Sequence, residues 1–289
     1  MAAENTQPNV RKTEGVVTKN GHSLKAFKDD LITQRIKKRG IYEGLPLGLI
    51  SKILKKIDRP VVFDVGANIG NHSLSFAMNA HQVYSFEPIK ITFDLLQENA
   101  RRNNLHNVNC YNCGFSDADA FAEIFVDETG NIGGSSLEHE GEKSKPETIK
   151  LVSGDGWVTS SDSSVTKVDF VKIDVEGHEP KVLKGLKSTL QKFRPVVMLE
   201  YNEEPSIKVF KEMNLFDSYF AGYEVFVLGN SYDPEYHEDK GSTKFRRFLT
   251  RLLSRKAAKL YAFDPSRCYH NILMVPKEKL SILPKESLT

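Results

Sequence analysis

Cysteine is scarce in this sequence, which contains only Cys110, Cys113 and Cys268. Three cysteines cannot supply a disulfide framework and suit a reducing compartment. Long apolar runs are also missing, since none approaches the roughly 18 residues that a membrane-spanning helix requires. The N-terminal stretch from Met1 to Pro8 lacks the apolar core of a signal peptide. We therefore expect a cytoplasmic protein.

The sequence also has no large excess of either positive or negative charge. The 40 basic and 38 acidic residues leave a net charge of +2, which gives no overall reason to expect nucleic acid as a partner. Hydrophobic residues make up 39% of the chain and charged residues 27%, as in a globular protein. A chain of 289 residues can bury a sizeable core within one large domain.

The stretch Val61–Asn71 joins an apolar, β-branched run to a turn flanked by Gly66 and Gly70. The residues that follow, His72 to Met78, have helical character. The stretch therefore predicts a strand, a tight turn and the start of a helix. Such a unit brings backbone N–H groups up to a nucleotide-like ligand. An ordinary buried strand with a glycine turn is the alternative.

Strands and helices alternate after this unit. Further strands are predicted at 81–86, 107–113, 168–173, 195–199, 223–228 and 270–275, and helices at 45–57, 89–102 and 205–213, with another beginning at Pro180. The short links between them favour a parallel sheet with crossover helices. Residues 119–158 interrupt the pattern with two alternating segments, which we interpret as a β-rich insertion over the sheet edge.

Composition divides the chain further. Residues 1–39 are expected to form a polar N-terminal extension, loosely attached over 1–22. The domain that holds the site covers residues 40–278, and residues 279–289 form a C-terminal tail. Within the domain, the segment 244–260 carries seven basic residues among apolar ones and no acid. This pattern predicts an amphipathic helix whose basic face is either simply solvated or in contact with an anionic surface or polymer.

Polar residues stand at the carboxyl ends of the predicted strands. The positions are Asp64, Glu87, Ser116–Asp117, Asp174–Glu179 and Glu200–Asn202. Ligands of a doubly wound sheet bind outside these strand ends. A purely structural protein has little reason to gather carboxylates there, because burying them unpaired is costly. We therefore expect these residues to converge on one crevice.

Two kinds of nucleoside ligand compete for this crevice. Glu87 is placed to accept both ribose hydroxyls. A nicotinamide dinucleotide usually requires Gly-x-Gly-x-x-Gly, but Asn68 stands where the middle glycine would make room for the pyrophosphate. Asp64, directly before the turn, is better placed to hold an amino group. Both facts favour S-adenosylmethionine. A nicotinamide-dependent oxidoreductase and a non-catalytic nucleoside-binding protein stay open as alternatives.

Several ordered blocks of the sequence can be compared with known families. They are Val62–Asn71, Ser85–Pro88, Gly133–Leu137, Phe170–Glu179, Val182–Gly185 and Leu199–Glu200. These blocks resemble the FkbM-type methyltransferases, and the resemblance covers residues 40–278. It implies an α/β fold with a Rossmann-like, seven-stranded class I methyltransferase sheet, mostly parallel with the last strand reversed. It also implies S-adenosylmethionine as methyl donor and O-methylation of sugars, polysaccharides or hydroxylated secondary metabolites.

The resemblance assigns the cofactor-binding positions. They are Asp64, Gly66, Asn68, Gly70 and Asn71 around the turn, Glu87 and Pro88 after the second strand, Ser116 and Asp117 beside the adenine, and Asp174. Within this set, Glu87 would bind the ribose. The expected partner is a small-molecule or glycan acceptor.

The chemistry implied is an in-line displacement of a methyl group from a sulfonium to an oxygen. Alignment supplies most of the catalysis, and a base near the hydroxyl proton would help. The candidate catalytic residues are Asp174, Glu176, His178 and Glu200, and the candidate substrate-binding residues are Tyr42, Glu43, Ser135 and Ser136. These acids and the histidine could instead surround Mg²⁺, but Glu176 and Glu179 could equally cap the helix that starts at Pro180. No metal is therefore assigned.

Overall fold

A central sheet of eight strands organises the computed structural model, which describes residues 12–127, 144–160, 165–202, 204–230 and 258–288. Within those ranges the strands are β1 (Thr13–Val17), β2 (Ser23–Phe27), β3 (Val61–Val65), β4 (Gln82–Phe86), β5 (Val108–Tyr111), β6 (Gly114–Ser116), β7 (Ala120–Asp127), β8 (Ser144–Ser153), β9 (Phe170–Ile173), β10 (Val196–Tyr201), β11 (Tyr223–Asn230), β12 (Ala258–Ala262) and β13 (Tyr269–Pro276). The helices are α1 (Leu31–Arg39), α2 (Gly44–Leu54), α3 (Asn71–Ala77), α4 (Lys90–Arg102), α5 (Gly154–Thr159), α6 (Glu179–Gly185), α7 (Lys187–Phe193), α8 (Glu204–Glu212) and α9 (Leu215–Tyr219), with 3₁₀ helices at Lys277–Ile282 and Lys285–Ser287. None of the helices described is long and apolar enough to cross a membrane.

The order of strands in the central sheet is β12-β11-β13-β10-β9-β3-β4-β5. The strands from β10 to β5 are parallel, whereas β13 is antiparallel to both of its neighbours, β10 and β11. This arrangement confirms the mostly parallel sheet with a reversed last strand. It differs from the prediction by one strand, because β12 adds an eighth at the edge, antiparallel to β11.

The eighth strand also corrects the prediction for the basic segment 244–260. Its last residues, from Ala258 to Leu260, are extended rather than helical, and Leu260 pairs with Leu228 of β11. Ala258 and Leu260 are buried while Lys259 between them is partly exposed, which is the period of a strand with one buried face. Residues 244–257 lie outside the described residues, so the contact of this segment with an anionic surface stays a prediction.

Both faces of the central sheet are covered by helices. Successive side chains of a strand point to opposite faces. Phe63 of β3 therefore packs into one core with Leu183 of α6, while Val62 packs into a second core with Ile50 of α2. All five residues of β3 are buried. Asp64 is the charged member of this buried strand, and a strand buried on both faces otherwise favours apolar residues.

The N-terminal residues join the packed structure from Thr13 onward, which corrects the expectation of a loosely attached extension. β1 and β2 form an antiparallel hairpin that leads into α1. Phe27 and Ile36 are buried in a third core together with Ile69 of the glycine turn and Ile149 of the insertion. The hairpin was missed because short strands with one exposed face contain many polar residues.

The β-rich insertion is confirmed as a second sheet with the strand order β6-β8-β7. β8 is antiparallel to β7 and parallel to β6. Ile124 of β7 and Leu151 of β8 are buried against the N-terminal hairpin and α1. Residues 128–143, which include the predicted substrate-binding residues Ser135 and Ser136, lie outside the described residues.

Candidate active site

A cleft opens at the carboxyl ends of β3, β4, β9 and β10. The predicted site residues that line it are Tyr42, Gly66, Asn68, Asn71, Glu87, Pro88, Asp174, Glu176, His178 and Glu200. Apolar residues, among them Ile32 of α1 and Leu151 of the insertion, complete the lining. The carboxyl ends of parallel strands meet at one edge of a sheet, and for this reason residues far apart in the sequence share the crevice.

The other described members of the predicted set lie around the cleft and do not form its surface. They are Glu43, Asp64, Gly70, Ser116 and Asp117. The hydroxyl of Ser116 lies 3.0 Å from Nε2 of His178, which does line the cleft. Asp117 is exposed. Contact of Ser116 and Asp117 with an adenine stays a prediction.

Gly66 is required by the neighbouring strand. Its φ of +76° lies in the left-handed region, and a Cβ added there would stand 1.9 Å from the carbonyl oxygen of Asp174. The N–H groups of Gly66 and Ala67 donate to the carbonyl oxygen of Phe86 at 3.0 and 2.9 Å. Glycine at this position therefore lets three strand ends meet beneath the cleft, and its predicted role in cofactor binding stays a prediction.

Lys172 is a residue of the cleft that sequence reasoning missed. It is 3% exposed, and its Nζ lies 3.1 Å from Oδ2 of Asp174 and 3.4 Å from Oδ1 of Asp64. It also donates to the carbonyl oxygen of Gly66 at 2.8 Å. Burial opposes the charge, but Asp174 and Asp64 outweigh burial and raise the pKa of Lys172 above its usual range. The sequence predicts that Asp64 holds an amino group, and in the structure this group is the ammonium of Lys172. The sequence did contain a signal for Lys172, because lysine is seldom buried and this one lies within an otherwise apolar strand.

Glu87 is oriented by its own chain. Its Oε1 accepts hydrogen bonds from the N–H of Ile89 at 2.9 Å and from the hydroxyl of Thr92 at 2.8 Å. Its Oε2 accepts from the N–H of Asn68 at 2.8 Å. Burial raises the pKa of Glu87, and these hydrogen bonds act against that shift. A carboxylate has about four acceptor positions, so a single position remains, on Oε2.

Asn71 presents a donor without a partner. Its side chain is 6% exposed and lines the cleft. Its Nδ2 makes no hydrogen bond to any of the residues that the structure describes. Leaving a buried donor unpaired costs about 1–3 kcal/mol. The amide therefore indicates a place where a ligand supplies an acceptor atom.

A tight turn connects β9 to α6 and carries Asp174, Glu176 and His178. Glu176 has φ +50° and Gly177 has φ +96°. Glu179, 1% exposed, accepts hydrogen bonds from the N–H groups of Val175 and Gly177 at 3.2 and 3.3 Å. Its other oxygen accepts from a serine hydroxyl of α8 at 3.2 Å. These contacts favour the alternative in which Glu179 stabilises the turn and caps the start of α6.

A cluster of two acids and two histidines lies at one side of the cleft, where its members His72 and Glu200 contribute to the lining. It consists of Glu43, His72, Glu200 and His270. The two oxygens of Glu43 lie 2.9 Å from Nε2 of His72 and 2.9 Å from Nε2 of His270, and Nδ1 of His270 lies 3.5 Å from Oε1 of Glu200. Burial disfavours the charge of Glu43, but the hydrogen bond with His270 and the nearby imidazole of His72 outweigh it and lower the pKa of Glu43 below its usual range.

The same cluster shifts Glu200 and His270. Burial and the nearby Asp174 raise the pKa of Glu200 to about 8, and His270 acts in the opposite direction. The hydrogen bond with Glu43 raises the pKa of His270 to about 9, while 63% of the His270 side chain remains exposed. Glu200 therefore titrates near neutral pH, where a group that exchanges a proton with a substrate is most effective.

The sequence pattern described as the methyltransferase FkbM domain matches residues 64–228, more than half of the chain. The chain belongs to the FkbM methyltransferase family. The matched FkbM region begins at Asp64 and contains Glu87, Lys172 and Glu200. Glu43 and His270, which meet Glu200 across the cluster, lie outside it.

Two curated relatives match part of this FkbM chain. Hexuronic acid methyltransferase AglP of Haloferax volcanii is 37% identical over 138 residues, which cover 48% of this chain and 54% of that protein. Methyltransferase 1 of Beauveria bassiana is 28% identical over 150 residues, which cover 45% of this chain and 59% of that protein. The chain thus spans little more than half the length of these relatives.

Solved structures are also similar to this chain in part. Methyltransferase FkbM from Methylobacillus flagellatus has a TM-score of 0.46 and 16% identity, with 74% of this chain and 43% of that chain covered. A SAM-dependent O-methyltransferase from Thermotoga maritima has a TM-score of 0.41 and 13% identity, with 91% and 77% covered.

Proposed function

We propose that the chain is an S-adenosylmethionine-dependent O-methyltransferase acting on a hydroxyl of a sugar, polysaccharide or hydroxylated secondary metabolite. The observation that carries the proposal is the unpaired amide of Asn71 in the cleft of an FkbM domain. Glu87 offers an acceptor position in the same cleft. The two side chains suit a ligand that has both a carboxylate and ribose hydroxyls.

The residues of the cleft complement the polar groups of this donor. Asn71 would donate to its carboxylate, and the remaining acceptor position of Glu87 would take one ribose hydroxyl, fewer than the two expected from the sequence. Asp174, 30% exposed at its side chain, would face its cationic part. When bound, S-adenosylmethionine supplies an activated methyl group on a positively charged sulfur. Among the described residues that line the cleft, the lysine is Lys172, and two carboxylates already engage it, so it is not free to bind a pyrophosphate.

The acceptor side of the cleft contains the candidate catalytic residues. Glu176, His178 and Glu200 line it together with Tyr42. They would orient a hydroxyl and remove its proton, while alignment of the two reactants supplies most of the rate. A relative described as a hexuronic acid methyltransferase supports a sugar as the acceptor.

Calorimetric titration with S-adenosylhomocysteine tests the donor site. Asn71→Ala is expected to weaken binding about tenfold or more, because a hydrogen bond to a charged group contributes about 1.5–3 kcal/mol. The matched control is Asn79→Ala, since the amide of Asn79 already donates to the hydroxyl of Ser51 at 3.1 Å. Equal affinities of Asn71→Ala and the unaltered chain would contradict this site. Binding of NAD with no binding of S-adenosylhomocysteine would establish the oxidoreductase alternative.

A panel of acceptors tests the reaction. Incubation with labelled S-adenosylmethionine and uronic acids, neutral glycans or hydroxylated metabolites is expected to yield a methyl ether, located by tandem mass spectrometry. A methyl ester on a uronic acid, or methylation on nitrogen or carbon, would contradict transfer to a hydroxyl. Binding of S-adenosylhomocysteine without methylation of any acceptor would favour the non-catalytic nucleoside-binding alternative.

A further inference from the structure

His270 is held between two carboxylates that come from distant parts of the chain. Its Nε2 lies 2.9 Å from Glu43, and its Nδ1 lies 3.5 Å from Glu200. β13 runs opposite to β10, so its first residues stand beside the last residues of β10, where Tyr201 pairs with Tyr269. The reversed strand thereby brings a histidine to the edge where the parallel strands end.

The backbone at Glu43 is strained. Glu43 precedes α2 with φ +50°, and a non-glycine residue in this left-handed region costs on the order of 1–3 kcal/mol. In this conformation its carboxylate lies between His72 and His270. Such strain persists where the surrounding structure requires it, and functional sites are the usual place.

The charges around Glu200 explain what His270 contributes. Burial and the acids Asp174, Glu176 and Glu43 all oppose the carboxylate form of Glu200, and His270 favours it. The groups that act on His270 in turn are Glu43, Glu200 and Asp174. Glu43 keeps the imidazole protonated, so a cation stands next to a carboxylate that its other neighbours would neutralise.

We propose that His270 is a positioning residue of the methyl transfer, in which Glu43 holds its imidazolium against Glu200 so that the Glu200 carboxylate accepts the proton of the acceptor hydroxyl. This inference rests on the proposed function. The O–H bond of the acceptor breaks as its oxygen bonds to the methyl carbon, and the proton goes to Glu200. The electron pair of the broken carbon–sulfur bond remains on the donor's sulfur. Glu200 then releases the proton to water, and His270 stays protonated throughout.

An NMR titration of the full chain tests the coupling without an acceptor. The ¹³C carboxyl signal of Glu200, assigned with Glu200→Gln, is expected to titrate about one pH unit higher in His270→Gln, because a neighbouring positive charge is lost. His270→Lys is expected to return the midpoint toward that of the unaltered chain. The control is His106→Gln, which changes an exposed histidine in the turn before β5. An unchanged Glu200 midpoint in His270→Gln overturns the proposal.

The pH dependence of kcat/KM gives a second readout. The carboxylate form of Glu200 is the active form, so kcat/KM rises as pH increases through the pKa of Glu200. His270→Gln is expected to move this limb about one unit higher and to lower kcat/KM about tenfold at neutral pH, with most of the loss recovered at higher pH. If kcat/KM of His270→Gln falls equally at every pH and His270→Lys does not restore it, His270 has a purely structural role and the proposal is overturned. If the chain methylates none of the acceptors, the proposed function is contradicted instead. The titration midpoint of the Glu200 carboxyl signal still tests the coupling between His270 and Glu200.

Discussion

Replacing Lys172 by methionine is expected to lower the free energy of unfolding by about 3–5 kcal/mol. Methionine keeps an unbranched side chain of similar length but removes the ammonium. Asp64, which is fully buried, then retains a hydrogen bond from the hydroxyl of Ser73 at 2.5 Å but no cation to balance its charge. An uncompensated buried carboxylate is much more costly than the loss of an exposed ion pair. Urea unfolding followed by circular dichroism measures the change.

Lys167→Met is the matched control for this prediction. Lys167 is 39% exposed at its side chain and lies 3.1 Å from Asp169, so its removal is expected to cost within about 1 kcal/mol. Adding Asp64→Asn to Lys172→Met is expected to recover part of the lost stability, because it removes the buried charge. If Lys172→Met had the same free energy of unfolding as Lys167→Met, the buried cation would not be what stabilises this site.

Gly66→Ala is expected to lower the free energy of unfolding by about 3 kcal/mol and to weaken binding of S-adenosylhomocysteine more than tenfold. The new Cβ would stand 1.9 Å from the carbonyl oxygen of Asp174 and would impose a left-handed conformation on a residue with a side chain. The obstructing atom belongs to the backbone, so no side-chain rotation relieves the contact. β3 and β9 must separate beneath the cleft, and the residues that line it move with them.

Gly48→Ala separates this effect from a general response to the loss of a glycine. Gly48 lies in α2, is exposed and has no atom within 4 Å of an added Cβ. Alanine there is expected to raise the free energy of unfolding by about 0.5–1 kcal/mol, because glycine loses more conformational entropy in a helix. Thermal unfolding and calorimetric titration of both variants measure the two effects. Similar behaviour of Gly66→Ala and Gly48→Ala would contradict the close approach of β3 and β9.

The strand ends were predictable because the carboxyl ends of parallel strands share one edge of the sheet. Glu87, Asp174 and Glu200 could be assigned to one cleft on this basis. His270 could not, because it belongs to a reversed strand and meets Glu200 from the first residues of that strand. Lys172 was overlooked because a charged residue within a strand is visible only when the strand is known to be buried on both faces.

Two predictions about the fold failed for a similar reason. The hairpin of β1 and β2 and the edge strand β12 are short, and each has a partly exposed face. Their formation depends on partners distant in the sequence, such as Leu228 for Leu260. The pattern of apolar and polar residues within a short stretch of sequence does not identify such distant partners.

The alternation of strands and helices, the glycine turn and the acids at the strand ends could be predicted from the sequence, because they depend on local periodicity and on backbone conformation. The groups that each acid faces became known from the three-dimensional arrangement. Asp64 is paired with Lys172, Glu87 retains one acceptor position, and Glu200 meets a histidine from a reversed strand. These outcomes depend on distances between residues far apart in the chain, and electrostatic interactions are governed by such distances and by burial.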